Sequence, residues 1–558
     1  MVEKVKEKKS KGVYGPDGLL AGKLPNYKER PQQVRLSNII NQGIKEDRNV
    51  IVQAETGTGK SAGALIPILQ RLRKDEPRRQ FIVVTATKTL QDQYANKELP
   101  FMQELGYDFT YAVVKGINNY VCNLKAEDAL EKIPLSDGRL MQRRNNVATQ
   151  VLSDFLLKTD TGDLSELSQE DYVALKTTDL TVTRDECLGD KCYKKRNGEC
   201  FYYVNRANAL AADVVITNYH FFLSYLEMVN MNPAVAGKML PLATNILFDE
   251  AHVIKDIVRD FFAYEFKKSS LKQVVNWIAN RHPDTAHDLE RDNSNFFKML
   301  DANMTSDSKI LAFDLNPDYF ARAAEPLIRA VDIAKVVIGR EKEQLEIAAG
   351  KQSSEKVKAV MVAERYQKQC ENLSYKLKLL IRIIGNENEA AKSGYTVWLD
   401  KSFNELSISM KPIHTGTYLA PLHTLFKQAT FMSATIDEGD LIYALGMDEK
   451  RKKETIVERL PAVFDYKNQA ALMIPGFAPP DEGESEYNYN CADFLCKIVE
   501  MMDGGGILAL FTSFTALNTA AKMINKNCKK FLQHELLVQE SGKQVNHLIT
   551  EFKKGDRV

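Results

Sequence analysis

The segment Asn49–Leu72, NVIVQAETGTGKSAGALIPILQRL, determines how the rest of the chain is interpreted. It begins with a short apolar run, continues through a glycine-containing loop and ends in a stretch with helical spacing of apolar residues. Three further segments repeat this alternation, namely QFIVVTATKTLQDQYA, ADVVITNYHFFLSYL and NILFDEAHVI. Strands that are apolar throughout and alternate with helices are typical of a parallel sheet covered on both faces. We therefore predict a doubly wound α/β core.

The loop AETGTGKS, Ala54 to Ser61, fits the Walker A phosphate-binding pattern in the strand–loop–helix context that this motif requires. Gly57 and Gly59 allow backbone N–H groups to point at phosphate oxygens, and the helix N-terminus adds a favourable dipole. We expect Lys60 to contact the β- and γ-phosphates of ATP and the Ser61 hydroxyl to bind Mg²⁺. The loop residues predicted to bind ATP and Mg²⁺ are Ala54, Glu55, Thr56, Gly57, Thr58, Gly59, Lys60 and Ser61.

Two other segments extend the predicted ATP site. In FDEAH, at the end of the apolar run NILF, Asp249 is placed to hold Mg²⁺ and Glu250 to activate the attacking water. In YKERPQQ, upstream, the Gln33 amide could read an adenine edge and Tyr27 could stack on the base. Taken alone, that short pattern is also typical of a surface loop. Lys60, Asp249 and Glu250 are the predicted catalytic residues.

Length and composition restrict the class of protein. The chain has 558 residues, which is enough for three or four domains, and its formal net charge is +1. Any nucleic-acid binding must therefore come from local grooves. The Lys-rich N-terminus lacks an apolar core, and no apolar run reaches about 18 residues, so neither a signal peptide nor a membrane contact is expected. Eight cysteines do not form a disulfide framework and favour a reducing, cytoplasmic location.

Four cysteines form a candidate metal-binding set. Cys122 lies in KGINNYVC, and Cys187, Cys192 and Cys200 lie in CLGDKCYKKRNGEC. Four thiolates can bind zinc or an iron–sulfur cube, and the absence of a C-x₂-C pair disfavours a zinc ribbon without excluding zinc. The other cysteines are predicted to be ordinary core or surface thiols, namely Cys370, Cys491, Cys496 and Cys528.

Two regions interrupt the α/β alternation. Residues 115–205 carry the four cysteines, and residues 255–410 contain long stretches with helical spacing that we expect to pack as an antiparallel pair around GKQSS. After this pair, YTVWLD and LSISMKPIH are predicted to be strands that lead back to the core. A second α/β region is predicted from about Asp440, with a buried strand and a helix in GGGILALFTSFTALNTAAKMI.

In chain order, these motifs resemble superfamily 2 helicases of the iron–sulfur class, and in particular the bacterial DinG branch, which is related to the XPD helicases. The resemblance extends over about residues 25–558. The segments that carry it are the Walker A loop, VVTATKTLQDQ, KGINNYVC, the cysteine triad, ADVVITNYHFFL, DEAH and FMSATI.

The resemblance implies a RecA-like P-loop motor domain with a parallel sheet, inserted iron–sulfur and helical arch domains, and a partial second RecA-like domain. The implied boundaries are an N-terminal tail at 1–22, a first motor domain at 23–114, 206–254 and 411–440, a 4Fe–4S domain at 115–205, an arch domain at 255–410 and a partial second motor domain at 441–558.

The resemblance also implies roles for individual residues. Arg30 and Gln33 belong to an adenine-reading Q motif, and Cys122, Cys187, Cys192 and Cys200 hold a 4Fe–4S cluster. The residues implied to couple hydrolysis to domain motion are His252, Ser433 and Thr435. The residues implied or predicted to contact DNA are Thr85, Thr87, Gln91, Lys194, Lys195, Arg196 and Ser513.

The implied function is an ATP-dependent 5′-to-3′ DNA helicase acting on single-stranded and on forked or R-loop DNA, in a bacterial cytosol or a phage-infected host. The sequence departs from the family because no Gly-Arg-x-x-Arg motif, the source of arginine fingers, follows Ser433. We therefore expect a fragment, or a split enzyme completed by a separate C-terminal polypeptide. Two alternatives stay open: an ATP-binding nucleic-acid-binding or regulatory module without motor activity, and a motor with zinc in place of iron.

Overall fold

The computed structural model describes residues 12–72, 80–131, 139–175, 178–184, 186–304, 309–311, 315–349, 354–385, 394–402, 405–476, 484–501, 506–527, 536–539, 548 and 552. The strands are β1 (Val50–Gln53), β2 (Phe81–Thr85), β3 (Tyr111–Val113), β4 (Val214–Asn218), β5 (Asn245–Asp249), β6 (Tyr264–Lys267), β7 (Lys309–Leu311), β8 (Tyr395–Ser402), β9 (Glu405–Pro412), β10 (Gln428–Ser433) and β11 (Ile456–Arg459).

The α-helices up to the end of the helical region are α1 (Pro31–Glu46), α2 (Lys60–Leu72), α3 (Lys88–Gln93), α4 (Leu99–Glu104), α5 (Asn123–Glu131), α6 (Arg139–Lys158), α7 (Gln169–Leu175), α8 (Tyr193–Arg196), α9 (Phe201–Ala211), α10 (Tyr219–Met231), α11 (Pro233–Ala236), α12 (Ile254–Phe261), α13 (Lys272–Ala279), α14 (Pro283–Ala302), α15 (Pro317–Ala349) and α16 (Ser354–Gly385). They are followed by α17 (Gly416–Leu419), α18 (Leu422–Leu425), α19 (Glu438–Ala444), α20 (Glu449–Glu454), α21 (Tyr466–Gln469), α22 (Glu484–Met501) and α23 (Phe514–Asn527).

The main sheet is parallel throughout and has the strand order β11-β1-β10-β5-β2-β4-β3. Alternate residues of its strands pack into two different cores. Val50 and Val52 point to one face of β1, while Ile51 joins the core on the other face. Because both faces are covered, β2, β4, β5 and β10 are buried along their whole length. The predicted RecA-like α/β core is confirmed.

The helical region contains a second, antiparallel sheet of order β6-β9-β8-β7. The two segments YTVWLD and LSISMKPIH form the predicted strands, β8 and β9, which pair with each other and not with the core sheet, and the chain then continues through α17 and α18 into β10 of the core. The outer edges of this hairpin pair with β6 and β7, so its backbone groups are bonded within the second sheet.

The long helices α15 and α16 pack as the predicted antiparallel pair. The ion pairs Lys342–Glu364 at 2.8 Å and Lys378–Asp332 at 3.0 Å join residues whose order runs in opposite directions along the two helices. A core of buried apolar residues from α13 to α16 and from β6, β8 and β9 holds the region together. In the described part of the chain, no helix has the length and apolar character needed to cross a membrane.

The second α/β region differs from the prediction. The chain divides into one compact unit, Met1–Glu166 with Lys176–Val463, and another, Leu167–Leu175 with Phe464–Val558. The first unit extends past the predicted boundary at residue 440 because β11 pairs with β1 in the main sheet. Residues 507–511, predicted to be a buried strand, are not a strand, and Leu508 and Leu510 are 79% and 84% exposed. An apolar run becomes a strand only when another strand pairs with it.

The close approach of Gly416, the first residue of α17, and Gly446, just after α19, tests how these two helices pack. A Cβ atom on Gly416 would lie 2.6 Å from the Gly446 Cα atom, and backbone cannot move aside as a flexible side chain does. We expect Gly416→Ala to lower the free energy of unfolding by about 1–3 kcal/mol. In the control Gly439→Ala, the new Cβ would meet only an Asp437 oxygen at 3.5 Å. Urea unfolding should separate the two variants, and equal effects would contradict the described packing.

Candidate active site

The Walker A loop connects β1 to α2 in the predicted manner. The Ala54 N–H donates to the Ser433 carbonyl at 2.8 Å, which holds the start of the loop against β10. Gly57 and Gly59 have φ angles of +85° and +80°, in the left-handed region that glycine adopts without strain. Helix α2 begins at Lys60, so the N–H groups of its first turn have no partner within the helix and face the loop. The segment therefore has the geometry of a phosphate-binding loop.

The two residues assigned to the Q motif lie against this loop. Arg30 Nη1 donates to the Gly57 carbonyl at 2.7 Å, and Gln33 Nε2 donates to the Gly59 carbonyl at 3.0 Å. A Cβ atom on Gly59 would lie 2.3 Å from Gln33 Nε2, so the loop and the amide fit only with glycine there. Tyr27 is partly buried against the neighbouring core. The structure thus brings these residues together, and their contact with adenine stays a prediction.

A cluster of polar groups faces the Walker A lysine. Lys60 Nζ lies 3.4 Å from Glu250 Oε1. The Ser433 hydroxyl donates to Glu250 Oε2 at 3.1 Å, and His252 Nδ1 lies 2.6 Å from the same hydroxyl. The Thr435 N–H donates to Ser433 Oγ at 3.4 Å. The predicted catalytic and coupling residues therefore form one hydrogen-bonded group at the carboxyl ends of β1, β5 and β10.

Asp249 is held by two donors that fix its carboxylate. The Tyr94 hydroxyl donates to Oδ2 at 3.0 Å, and the Glu250 N–H donates to Oδ1 at 3.0 Å. Burial, followed by the charge of Glu250, raises the pKa of Asp249 to about 6. Tyr94 also hydrogen-bonds Ser61. A carboxylate and a hydroxyl joined in this way match the oxygen ligands that Mg²⁺ prefers.

Two tyrosines at this site were missed by sequence analysis. Besides Tyr94, Tyr219 donates from its hydroxyl to the Asp249 carbonyl at 3.1 Å. Both rings are fully buried. Tyr94 follows the TLQDQ segment directly and Tyr219 lies in TNYH, but an aromatic residue beside a motif gives no signal of its own.

The four cysteines form no disulfide with one another, and each is partly exposed. Burial raises the pKa of Cys122 to about 11; N–H groups of Lys125 and Leu124 oppose the rise, and Cys200 and Cys192 add to it. Cys187 and Cys192 similarly raise the pKa of Cys200, although burial is the larger cause. The thiols are thus close enough to interact electrostatically. Within the described ranges, however, no three His, Cys, Asp or Glu side chains are grouped closely enough to hold a metal ion.

Two of the predicted DNA contacts are corrected. Thr85 and Gln91 have no exposed surface. The Thr85 hydroxyl donates to the Thr87 carbonyl at 3.2 Å, and Gln91 Nε2 donates to the Val114 carbonyl at 3.1 Å. Thr85 ends β2, which has a strand on either side, and Gln91 lies in α3 with its amide bonded to Val114 and Asn218, so neither side chain reaches the surface. Thr87 is exposed and caps α3 by accepting from the Leu90 N–H at 3.2 Å.

The predicted basic contacts near the cysteines are mostly paired. Lys194 forms ion pairs with Glu127 and Glu199, and Lys195 pairs with Asp190 at 2.5 Å. Arg196 is exposed. Acidic neighbours that are distant in sequence or on the adjacent turn account for this pairing, so the two lysines must exchange partners before they can bind phosphate. In the second unit, Ser513 caps α23 by accepting from the Ala516 N–H at 3.1 Å.

Family models and relatives of known function match large parts of the chain. The DEAD/DEAH box helicase family model matches residues 30–133, and the DEAD_2 model matches residues 165–271. The ATP-dependent DNA helicase YoaA of Escherichia coli K12 is 27% identical over 489 residues, which are 83% of this chain and 68% of YoaA. The ATP-dependent DNA helicase DinG of the same organism is 26% identical over 43% of this chain and 34% of DinG. A solved XPD helicase covers 94% of this chain and 79% of its own, with 14% identity and a TM-score of 0.47.

The raised pKa of Asp249 predicts that this side chain lowers the stability of the nucleotide-free protein. The pKa rises from 3.8 to about 6 in the folded state, so the unfolded chain releases this proton more readily. Relative to Asp249→Asn, the wild type should lose stability as the pH rises from about 4 to about 6, and the loss reaches about 3 kcal/mol at neutral pH. Urea unfolding of both proteins at pH 4 and pH 7.5 measures the difference. A less stable Asn variant at pH 7.5 would refute the prediction.

Proposed function

We propose that this chain, which is a DinG/XPD-like helicase of superfamily 2, hydrolyses ATP to move along single-stranded DNA and to separate duplexes. The observation that carries the proposal is the meeting of Lys60, Glu250 and Ser433 in one hydrogen-bonded group. The three residues lie at or just beyond the carboxyl ends of three adjacent strands, β1, β10 and β5. This arrangement places a cation, a base and a sensor around one reacting phosphate.

In this proposal each residue has a defined task. The Walker A loop and Lys60 bind the phosphates of ATP, and the Glu250 carboxylate takes the proton of the attacking water. Asp249 and Ser61 would hold Mg²⁺, which when bound neutralises charge that develops on the phosphates. Because Ser433 is hydrogen-bonded to Glu250 and His252, a change at the γ-phosphate reaches the loop after β10 through a single hydroxyl.

We also propose that Cys122, Cys187, Cys192 and Cys200 hold a 4Fe–4S cluster. Cys122, Cys192 and Cys200 each directly precede a helix, namely α5, α8 and α9. Backbone N–H groups of α5 and α9 donate to the sulfur atoms of Cys122 and Cys200 and oppose the rise in pKa that burial causes at both thiols. Donors of this kind stabilise thiolates, so the chemistry of the residues fits an anionic cluster. Zinc is the alternative occupant.

The remaining parts of the proposal concern partners. We propose 5′-to-3′ movement on single-stranded DNA, action on forked or R-loop DNA, and a cytoplasmic location. We further propose that a separate C-terminal polypeptide completes the second motor domain. The support is local to the second unit, where Leu508 and Leu510 are exposed in a segment with the composition of a buried strand.

Lys60→Ala tests the motor. The variant should lose DNA-stimulated ATP hydrolysis by at least about 10²-fold because the phosphates lose their cation. The control is Lys45→Ala, on an exposed position of α1, which should leave hydrolysis unchanged. Phosphate release is measured with and without single-stranded DNA, and with candidate C-terminal polypeptides present. If the wild type binds nucleotide without turnover in every condition, the protein is a nucleotide-binding module and not a motor.

Cys192→Ser tests the cluster. After anaerobic purification, the wild type should contain iron and sulfide and absorb visible light, and the variant should lose this absorption and duplex unwinding while it still binds nucleotide at the Walker A loop. The control is Cys491→Ser, a partly exposed thiol of the second unit. Metal analysis distinguishes iron from zinc. Unwinding that survives Cys192→Ser would disprove a role for the cluster.

A further inference from the structure

The ammonium group of Lys115 is the buried charge at the start of the cysteine region, which we define as residues 115–205. Its side chain is 2% exposed. Nζ lies 2.8 Å from Asp92 Oδ1, 2.8 Å from Asp163 Oδ2 and 2.8 Å from Ser165 Oγ. Each of its three N–H donors therefore has an acceptor. Burial alone would lower the pKa of Lys115, but Asp163 and Asp92 outweigh it and raise the pKa, so the group stays charged.

Two of the acceptors belong to a turn, residues 159–166, that contacts the surroundings of two cysteines. The Val121 N–H, next to Cys122, donates to the Gly162 carbonyl at 2.9 Å. Gly162 also packs so closely on Phe201, next to Cys200, that a Cβ atom would lie 2.3 Å from the ring. The turn is braced internally by the Ser165 N–H, which donates to Asp163 Oδ1 at 2.9 Å. Moving this turn would therefore move the backbone at both cysteines.

The third acceptor belongs to the motor. Asp92 lies in the last turn of α3, and Tyr94 is the residue that ends this helix. The Tyr94 hydroxyl contacts both Asp249 and Ser61, the two proposed Mg²⁺ ligands. The same end of α3 thus touches the nucleotide site on one side and Lys115 on the other. Because Tyr94 is fully buried, a shift of Asp249 or Ser61 cannot be absorbed by solvent at this point.

A charge of this kind is not required for stability. Burying an ammonium group with its carboxylates costs about as much as the attraction returns, and apolar residues of the same volume often serve as well. The ion cluster instead fixes geometry. Its three acceptors come from two parts of the fold, so they hold the turn 159–166 in one position relative to α3. The two carboxylates of the ion cluster differ in burial. The Asp163 side chain is 13% exposed and the Asp92 side chain is 39% exposed, so the ion pair with Asp163 is the stronger one.

We infer that Lys115 is a positioning residue that transmits the state of the nucleotide site, through Tyr94 and Asp92, to the turn 159–166 and so to the cysteines. The inference rests on the proposed function, because it assigns the link between the ATP site and the cysteine region of the same motor. The path consists of direct contacts from Ser61 and Asp249 to Tyr94, of the backbone between Tyr94 and Asp92, and of direct contacts from Asp92 to Val121 and Phe201.

The decisive variant is Asp92→Ala. Lys115→Met would leave the Asp163 carboxylate buried without a cation and is expected to destabilise the fold. Asp92→Ala keeps Lys115 paired with Asp163 and Ser165 and removes only the contact with α3. The matched control is Asp108→Ala, an exposed carboxylate of the same motor domain.

Two measurements on the full chain are needed. Titration calorimetry gives the affinity for a non-hydrolysable ATP analogue with Mg²⁺, and hydrogen exchange with mass spectrometry gives the protection of residues 118–124 and 159–166 with and without that analogue. In the wild type and in Asp108→Ala, the analogue should slow exchange in both segments by about fivefold, the size of a modest coupling energy. In Asp92→Ala this response should disappear, while nucleotide affinity and the exchange rates without nucleotide stay as in the wild type.

The outcomes separate this inference from the proposed function. The inference is overturned if the wild type shows no response in the two segments, or if Asp92→Ala responds as the wild type does. A merely structural role for the ion cluster would change exchange without nucleotide and leave the response to nucleotide in place, which also overturns it. A wild type that shows the response but no DNA-stimulated ATPase would overturn the proposed function and leave the inference standing.

Discussion

The parallel pairing of β1, β10 and β5 is the constraint on which the rest of the site depends. The register aligns Gln53 with Ser433 and Met432 with Asp249, so the three strands end at the same level. Parallel strands all point their carboxyl ends to one edge, and the loops that follow them must meet there. The phosphate loop, the acidic pair Asp249 and Glu250, and residues 433–435 therefore meet at this edge although they are far apart in the chain. A slip of one residue in any of these strands would turn its side chains to the other face and separate the group.

The charged groups at this edge favour the binding of a metal–nucleotide complex. Asp249 and Glu250 are adjacent carboxylates, and burial together with the neighbouring charge raises the pKa of Asp249. Lys60 Nζ lies 3.4 Å from Glu250 Oε1 and offsets only part of the negative charge of the two carboxylates. A bound metal–nucleotide complex brings a cation to one carboxylate and phosphates to the lysine, which relieves both imbalances. The charge arrangement therefore favours this complex, and the Tyr94 hydrogen bond fixes the orientation of the Asp249 carboxylate.

The sequence predicted the structure well where the local backbone conformation dictates the residue type. The Walker A loop needs glycine at Gly57 and Gly59 because of their positive φ angles, and a pattern of residue types can record that need. The sequence did not predict the surroundings of side chains whose neighbours are distant in the chain. Gln91 looks like a surface residue in TLQDQ, but its amide is buried between Val114 and Asn218. The sequence predicted β8 and β9 as strands but did not predict the strands with which they pair. Strand propensity does not specify which sheet edge a strand joins. Cys528, predicted to be an ordinary core or surface thiol, lies outside the described residues.

The cysteine region is attached to the motor and to the helical pair by contacts of different strength. Besides the packing of α5 on α16, its links to the helices include the ion pairs Lys191–Glu346, with side chains 63% and 31% exposed, and Arg365–Glu186, with side chains 34% and 12% exposed. An exposed ion pair such as Lys191–Glu346 contributes about 0–1 kcal/mol and is screened by salt. Lys115, in contrast, is buried, and the turn it holds is fixed by backbone hydrogen bonds and by close packing on Phe201. The salt-sensitive part of the attachment of the cysteine region is therefore its exposed ion pair with α15, and not its contact with the motor sheet.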